Sequence, residues 1–297
     1  MDQAEKLRNI IKGNRISVAG PRARVIAVTS GKGGVGKSTV STNLAVDLSR
    51  RGKRVIIFDA DFGLANVEVM YGMAPRYTLN DVIYKGKSMT DIITRGPANV
   101  GFISGGSGIV TMNNPTDYQR SFLLDGLSEL DSAADFIIID TAAGVSSNVM
   151  DFVANCPEVL LVTTPDPSSL TDAYSLVKVL ALRQSTDGAR SQIKVVANRV
   201  ADRQEGDSIY SKLNIVSKRF LGIGLSYMGY IPMDQSLEKA VRSQKPVVLA
   251  YPESKSSLAI KNIAASLLQV PETAQKKRGI SQLISRLFNS RNQERPA

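Results

Sequence analysis

Short β-branched apolar runs recur along the chain, and each is followed by a stretch with helical spacing. The runs fall at residues 25–28, 54–58 (RVIIF), 100–103, 136–140 (FIIID), 159–163 (VLLVT), 193–197 (IKVVA) and 227–231. Near-continuous apolar runs of this length suit strands covered on both faces. Between them, residues from 38 onward and residues 79–84, 117–131, 168–183, 205–221, 237–242 and 256–268 read as helices. In 117–131, Phe122, Leu123, Leu127 and Leu130 turn inward; in 256–268, Leu258, Ile260, Ile263, Ala264, Leu267 and Leu268 form a broad apolar face. Strand and helix alternate over residues 24–270. The pattern predicts one doubly wound α/β domain with a mostly parallel sheet. Residues 105–108 are glycine-rich but lack a phosphate-binding continuation, and read as a surface loop.

The pattern changes at both ends. Residues 2–12 form a short amphipathic helix: Asp2 can cap it, Glu5 can reach back, and Ala4, Leu7, Ile10 and Ile11 make the stripe. Gly13 stops it, and a linker runs to residue 23. A helix of about 11 residues is marginal alone, so it docks either on its own domain or on a partner. At the other end, residues 271–279 are a polar, basic linker. Ile280, Leu283, Ile284, Leu287 and Phe288 then fall at i, i+3, i+4, i+7 and i+8, flanked by Arg286 and Arg291. A detached basic amphipathic helix points to a membrane surface, the alternative being a groove on its own domain.

Charge sharpens this picture. The 297 residues carry a net charge of +10. Six cations face two carboxylates in residues 1–24, and the same holds in 272–297. The basic character therefore lies in the appendages and suits anionic partners. Composition narrows the chemistry. Histidine is absent, and Cys156 is the single cysteine. His-based triads, His-ligated zinc, internal disulfides and cysteine-held iron–sulfur clusters are excluded. Carboxylates, lysines, hydroxyls and backbone N–H groups remain, and phosphoryl transfer needs nothing more. No apolar run approaches the length of a bilayer span, and the first residues lack a signal-peptide core, so the chain is expected in the cytoplasm.

The candidate chemistry centres on VIAVTSGKGGVGKSTV, residues 25–40. Strand, glycine-rich turn and helix start are the context of a phosphate-binding loop, and G-x-x-x-x-G-K-[ST] is satisfied from Gly31. Gly31, Lys32, Gly33, Gly34, Val35, Gly36, Lys37, Ser38 and Thr39 are expected to wrap a nucleotide's phosphates. Backbone N–H groups and the helix dipole would point at them. Lys37 would reach the β- and γ-phosphates, and Ser38 would offer its hydroxyl to Mg²⁺. FIIID reads as a Walker B strand whose Asp140 would hold Mg²⁺, the alternative being a strand-end cap.

Lys32, placed directly after the first glycine, narrows the class. GKGGVGKS resembles the deviant Walker A motif of the MinD/ParA ATPases. The segment Asp59-Ala60-Asp61 at the end of a strand and Asp140-Thr141-Ala142-Ala143-Gly144 are similar to that family's further motifs. The resemblance spans about residues 24–270 and implies a P-loop ATPase that binds ATP and Mg²⁺. It implies that Lys32 reaches across a homodimer to the partner's ATP, so that Lys32, Lys37 and Asp61 are the catalytic set. Asp61 would position the attacking water. Asp59 would support the Mg²⁺ shell, or else cap the following turn. Asn198 and Arg199 would meet the adenine, with Pro232 and Asp234 lining its pocket; a turn-forming Asn198 is the alternative. Within that family, the opening DQAEKLR, the TSGKGGVGKS loop and DADFGLANV resemble the FlhG branch, also called FleN or YlxH. That resemblance implies an ATPase controlling flagellar number and placement. Its ATP dimer would sit on anionic inner-membrane lipid through Ile280, Leu283, Ile284, Leu287 and Phe288. Its N-terminal residues Asp2, Gln3, Ala4, Leu7 and Arg8 would stimulate the GTPase FlhF. Flagellar switch proteins are further expected partners, and DNA is not. Ser38-Thr39 departs from the two threonines common in MinD. The alternatives are a MinD-type division-site ATPase, a ParA-type DNA-partitioning ATPase, and a scaffold that uses nucleotide only as a binding switch.

Overall fold

The computed structural model describes residues 23–61, 66–105, 117–184 and 190–269 together with 279, 280 and 283, with backbone alone for 117–124. The strands are β1 (Arg24–Thr29), β2 (Val55–Ala60), β3 (Thr94–Arg95), β4 (Gly101–Ser104), β5 (Phe136–Thr141), β6 (Glu158–Thr163), β7 (Gln192–Val200) and β8 (Ser226–Pro232). The helices are α1 (Lys37–Arg50), α2 (Asn66–Tyr71), α3 (Leu79–Lys85), α4 (Asp117–Ala133), α5 (Ser147–Asn155), α6 (Pro167–Gln184), α7 (Arg203–Leu221), α8 (Gln235–Arg242), α9 (Val247–Ala250) and α10 (Lys255–Gln269).

The strands form one sheet in the order β3-β4-β2-β5-β1-β6-β7-β8. All pairings are parallel except the short β3–β4 edge. Every residue of β1, β2, β5 and β6 is buried. This is the reason those segments read as continuous apolar runs rather than alternating ones. The period-2 alternation instead divides them between two cores. Val25, Ala27, Ile137, Ile139, Val159 and Leu161 face a layer containing α3, α4, α5, α6 and α7. Ile26, Val28, Phe136, Ile138, Leu160 and Val162 face α1, α2, α8, α9 and α10. The predicted doubly wound α/β architecture is the one observed.

Four elements were not in the sequence reading: α2, β3, α5 and α9. Three of them have six residues or fewer, too short for a periodic pattern. α5 did carry a pattern, since Val149, Met150, Phe152 and Val153 bury one face.

The amino-terminal edge of the sheet holds a buried ion cluster. The Arg24 guanidinium grips Glu158 in a fork, Nε to Oε1 at 2.6 Å and Nη2 to Oε2 at 2.8 Å. Its Nη1 donates to the Leu267 carbonyl in the last turn of α10. Lys194 donates to Glu158 Oε2 as well. Burial alone would raise the Glu158 carboxyl, but the hydrogen bonds from Arg24 and Lys194 outweigh it and hold the group below its ordinary value.

The start of the C-terminal segment returns to this domain. Ile280 and Leu283 are buried at 0% and 1% exposure, in the same core as Leu127 and Leu130 of α4. The Ile280 N–H donates to Asp131 Oδ1 at 2.8 Å. Both residues were expected to face lipid; here they pack on their own domain, the alternative that the sequence left open. Ile284, Leu287 and Phe288 lie outside the described residues, as do Asp2, Gln3, Ala4, Leu7 and Arg8.

Candidate nucleotide site

The site lies at the carboxyl ends of the central strands, where β1 stands between β5 and β6 and the chain turns outward to opposite faces. Register sets its acidic part. Val28 pairs with Asp140, and Asp140 pairs with Asp59, so the penultimate residues of three adjacent strands meet. The P-loop leaves β1 directly above them.

Gly36 caps α1 in the left-handed region, at φ 96°. A side chain there would be strained, and its Cβ would also lie 2.4 Å from Asn198 Nδ2. That amide donates to the Val35 carbonyl at 2.7 Å. Asn198, at the end of β7, therefore braces the loop. Lys37 is buried at 8% exposure at the start of α1. Ser41, one turn further on, donates to Asp140 Oδ1 at 2.9 Å.

Asp140 is fully buried, and its Oδ2 takes no hydrogen bond among the described residues. Desolvation pushes its carboxyl up, against the pull of Lys37 and the serine hydroxyls. A buried carboxylate oxygen without a partner, beside a Ser38 hydroxyl and a buried lysine, fits a divalent cation and a phosphate. The residues that would hold Mg²⁺ are thus Ser38 and Asp140.

Asp59 caps the turn that follows β2. Its Oδ1 accepts the Asp61 N–H and its Oδ2 the Val67 N–H, each at 3.1 Å. Desolvation, then the neighbouring Asp140, pushes it up to about 7. Through these bonds Asp59 pins both ends of the segment that presents Asp61. Asp61 Oδ2 accepts from Asn66 Nδ2 at 2.9 Å, which orients the carboxylate. Behind the loop, the Gly144 N–H donates to the Ser30 carbonyl at 2.8 Å, tying residues 141–144 to the P-loop base.

Beside the P-loop lies a cavity of about 420 Å³ lined by Gly36, Thr39, Asn198, Arg199, Pro232 and Asp234, with Leu237, Val241 and Arg242 from α8. The Asn198 Oδ1 is buried without a partner. One N–H of this amide goes to Val35, and the oxygen is an acceptor that an exocyclic amino group would satisfy. Arg199 sits at the rim in the left-handed region, at φ 57°. Asp234 lines the cavity, but its carboxylate is occupied. It accepts from Ser236 N, Ser256 N and Ser256 Oγ, capping α8 and the start of α10.

The structure thus gathers Gly31 to Thr39, Asp61, Asp140, Asn198, Arg199 and Pro232 at one mouth. Lys32 is the exception: its amino group reaches Ser168 on α6, at 2.7 Å. The sequence reading missed Ser41 and Asn66, which orient Asp140 and Asp61. Ser41 had a usable signal, since it lies one helical turn beyond Lys37.

Comparison with known proteins agrees with this geometry. Residues 22–268 match the family model described as ParA: NUBPL iron-transfer P-loop NTPase. Iron–sulfur chemistry does not follow from that description, because Cys156 is single and buried. The chain is 41% identical to the antiactivator FleN of Pseudomonas aeruginosa, over 89% of this chain and 93% of that one. It is 32% identical to the flagellum site-determining protein YlxH of Helicobacter pylori, over 89% of this chain and 90% of that one. Among solved structures, the cell division ATPase MinD of Pyrococcus furiosus superposes with a TM-score of 0.66 at 28% identity, covering 83% of this chain and 99% of that one. MinD of Pyrococcus horikoshii, solved with Mg-ADP, gives 0.66 at 25%, covering 86% and 99%. The chain belongs to the ParA/MinD family of P-loop NTPases and, within it, to the FleN/YlxH group of flagellar regulators, as a MinD-like ATPase.

Proposed function

We propose that the chain is an ATP-driven switch for flagellar number and placement, a single chain with ADP and a membrane-bound homodimer with ATP. The observation that carries the reading is the division of labour between the two loop lysines. Lys37 is buried at the start of α1, whereas Lys32 leaves the loop and reaches the surface of α6. A lysine directed away from its own P-loop, once released from Ser168, could reach a second copy, where its charge would stabilise transferring phosphate as an arginine finger does.

Adenine is the base this reading assigns to the cavity beside Asn198. Asn198 Oδ1 can accept from its amino group, while a guanine carbonyl would leave two acceptors face to face. When bound, Mg²⁺ neutralises phosphate charge. Lys37 holds the phosphates, Asp140 and Ser38 offer oxygens, and Asp61, held by Asn66, orients the attacking water.

Membrane binding follows from the C-terminal segment. In the single chain, Ile280 and Leu283 are docked on the domain, and the basic linker lies beside them in sequence. Released helices from two copies would bind anionic lipid together, the second insertion being intramolecular. The N-terminal helix, through Asp2, Gln3, Ala4, Leu7 and Arg8, would stimulate FlhF, and a peptide of residues 1–20 should do so alone. Flagellar switch proteins would be further partners.

Light scattering in ATP–Mg²⁺ tests the reading. Asp61→Ala should double in mass, because it binds but hydrolyses slowly, and should remain single in ADP. Lys32→Ala should stay single in both. A Lys32→Ala chain that dimerises as the unmodified chain does removes the role in trans.

A further inference from the structure

The chain enters the domain, and its C-terminal segment returns to it, at one place: the end of α4. We propose that Asp131 clasps the two together, its carbonyl holding the entering chain and its carboxylate seating the returning segment, so that release of one appendage loosens the other. The clasp is a matter of contacts within the domain. Only its ligands, lipid at one end and a partner at the other, rest on the function proposed above.

Asp131 lies in the last turn of α4 and is 5% exposed. A helix end leaves its last carbonyls without partners inside the helix. The Asp131 carbonyl receives the Ala23 N–H instead, at 3.1 Å. Its carboxylate works on the other appendage, where Oδ1 accepts the Ile280 N–H at 2.8 Å. Gly279 is pressed on the same group: a Cβ there would lie 2.0 Å from Oδ2 and 2.3 Å from Cγ. The Leu283 N–H then donates to the Gly279 carbonyl at 3.3 Å, so a helical turn opens directly on the carboxylate. Asp131 thus acts as an N-cap supplied by another helix, with its charge at the favourable end of the dipole.

The two ends also share their surroundings. Ala23, Ile280 and Leu283 are buried with Leu127, Leu130 and Ala134 in one core. Next along the chain, the Arg24 N–H donates to the Asp135 carbonyl at 2.9 Å, and Arg24 Nη1 donates to the Leu267 carbonyl. Residues 23 and 24 are therefore tied on one side to the last turn of α10, where the C-terminal segment departs. On the other side they are tied to the end of α4, where it returns. Withdrawing Ile280 and Leu283 takes apolar side chains out of that core and a hydrogen bond from the Asp131 carboxylate. The turn that holds Ala23 then loses its support. Coupling of this kind is reciprocal: a ligand that draws either end away eases release of the other by the same factor.

The test uses the full chain without nucleotide and amide hydrogen exchange read residue by residue, with the amides of β1 and β5 as the control for folding. Gly279→Ala drives a methyl into the carboxylate and touches nothing at Ala23. It should speed exchange at Ile280 on the order of tenfold, and at Ala23 roughly threefold. Asp131→Ala adds no bulk and should do the same, which keeps the test open if Gly279→Ala disturbs the control. The double substitution should be no faster than Asp131→Ala alone, because the methyl then meets no carboxylate. In the unmodified chain with ATP–Mg²⁺, vesicles of anionic phospholipid should speed exchange at Ala23 to a similar degree. Unchanged exchange at Ile280 in both single substitutions, or additive effects in the double, overturns the clasp. Faster exchange at Ile280 with Ala23 unchanged, whether by substitution or by bound vesicles, overturns the coupling. If vesicles bind the chain in neither nucleotide, the proposed membrane function fails, and exchange in the substituted chains still decides whether the clasp exists.

Discussion

The two ends of the sheet both bury charge, and they treat it oppositely. At the amino end, Glu158 receives Arg24 and Lys194, and Arg24 also satisfies the Leu267 carbonyl. At the carboxyl end, Asp140 keeps one oxygen without a partner, Asn198 keeps its acceptor, and Asp59 is pushed up to about 7 by desolvation and by Asp140. One end is a closed network that ties β1, β6, β7 and α10 together. The other is left incomplete, at a cost in stability that a bound nucleotide and cation would offset. Placing a charge therefore requires knowing whether its partners are inside the chain or outside it.

Isosteric neutralisation at each end breaks the comparison most directly. Glu158→Gln strands two buried cations and should lose about 3–5 kcal/mol, read from denaturant unfolding of the ligand-free chain. Asp140→Asn should lose no stability, or gain a little, since it removes a poorly satisfied buried charge. The same change should reduce Mg²⁺-dependent turnover by roughly 10²-fold or more. If both substitutions destabilise equally, the contrast between the ends is wrong.

A smaller effect sharpens the account of the mouth. Asn198→Ala removes both the brace on Val35 and the acceptor in the base cavity. It should weaken adenine-nucleotide binding by about 1 kcal/mol or somewhat more, and narrow the preference for ATP over GTP, measured by competition. A preference left intact would place the selection elsewhere. Smallest is the pH response of the closed end. The folded Glu158 carboxyl lies below its unfolded value of 4.5. Its stabilising contribution is present above that pH and is lost as pH falls through the folded value. The ligand-free chain should lose stability in acid, and Glu158→Gln should lose less over the same interval.

The mouth was the more legible of the two. A P-loop, a Walker B strand and an Asp-x-Asp strand end are local strings, so their residues could be named from the sequence. Register then brought Val28, Asp59 and Asp140 together as a parallel sheet requires. What escaped notice depends on contacts between distant parts of the chain. Glu158 stands 134 residues from Arg24, just outside an apolar run read as starting at Val159. Ser168 stands 136 residues from Lys32. Nor could spacing tell whether Asp59 held a metal shell or capped a turn, since both put a carboxylate at a strand end. The same ambiguity touched Ile280 and Leu283, because an apolar face has the same period whether lipid or protein covers it.

Sedimentation of the full chain with vesicles of mixed neutral and anionic phospholipid, in ATP–Mg²⁺ against ADP–Mg²⁺, tests the switch most directly. The account predicts strong co-sedimentation in ATP and little in ADP. It also predicts loss of binding in a chain ending at Val270, in Leu287→Glu and in Lys32→Ala, and weakening by added salt. Equal sedimentation in both nucleotides, or full binding by the truncated chain, would contradict it.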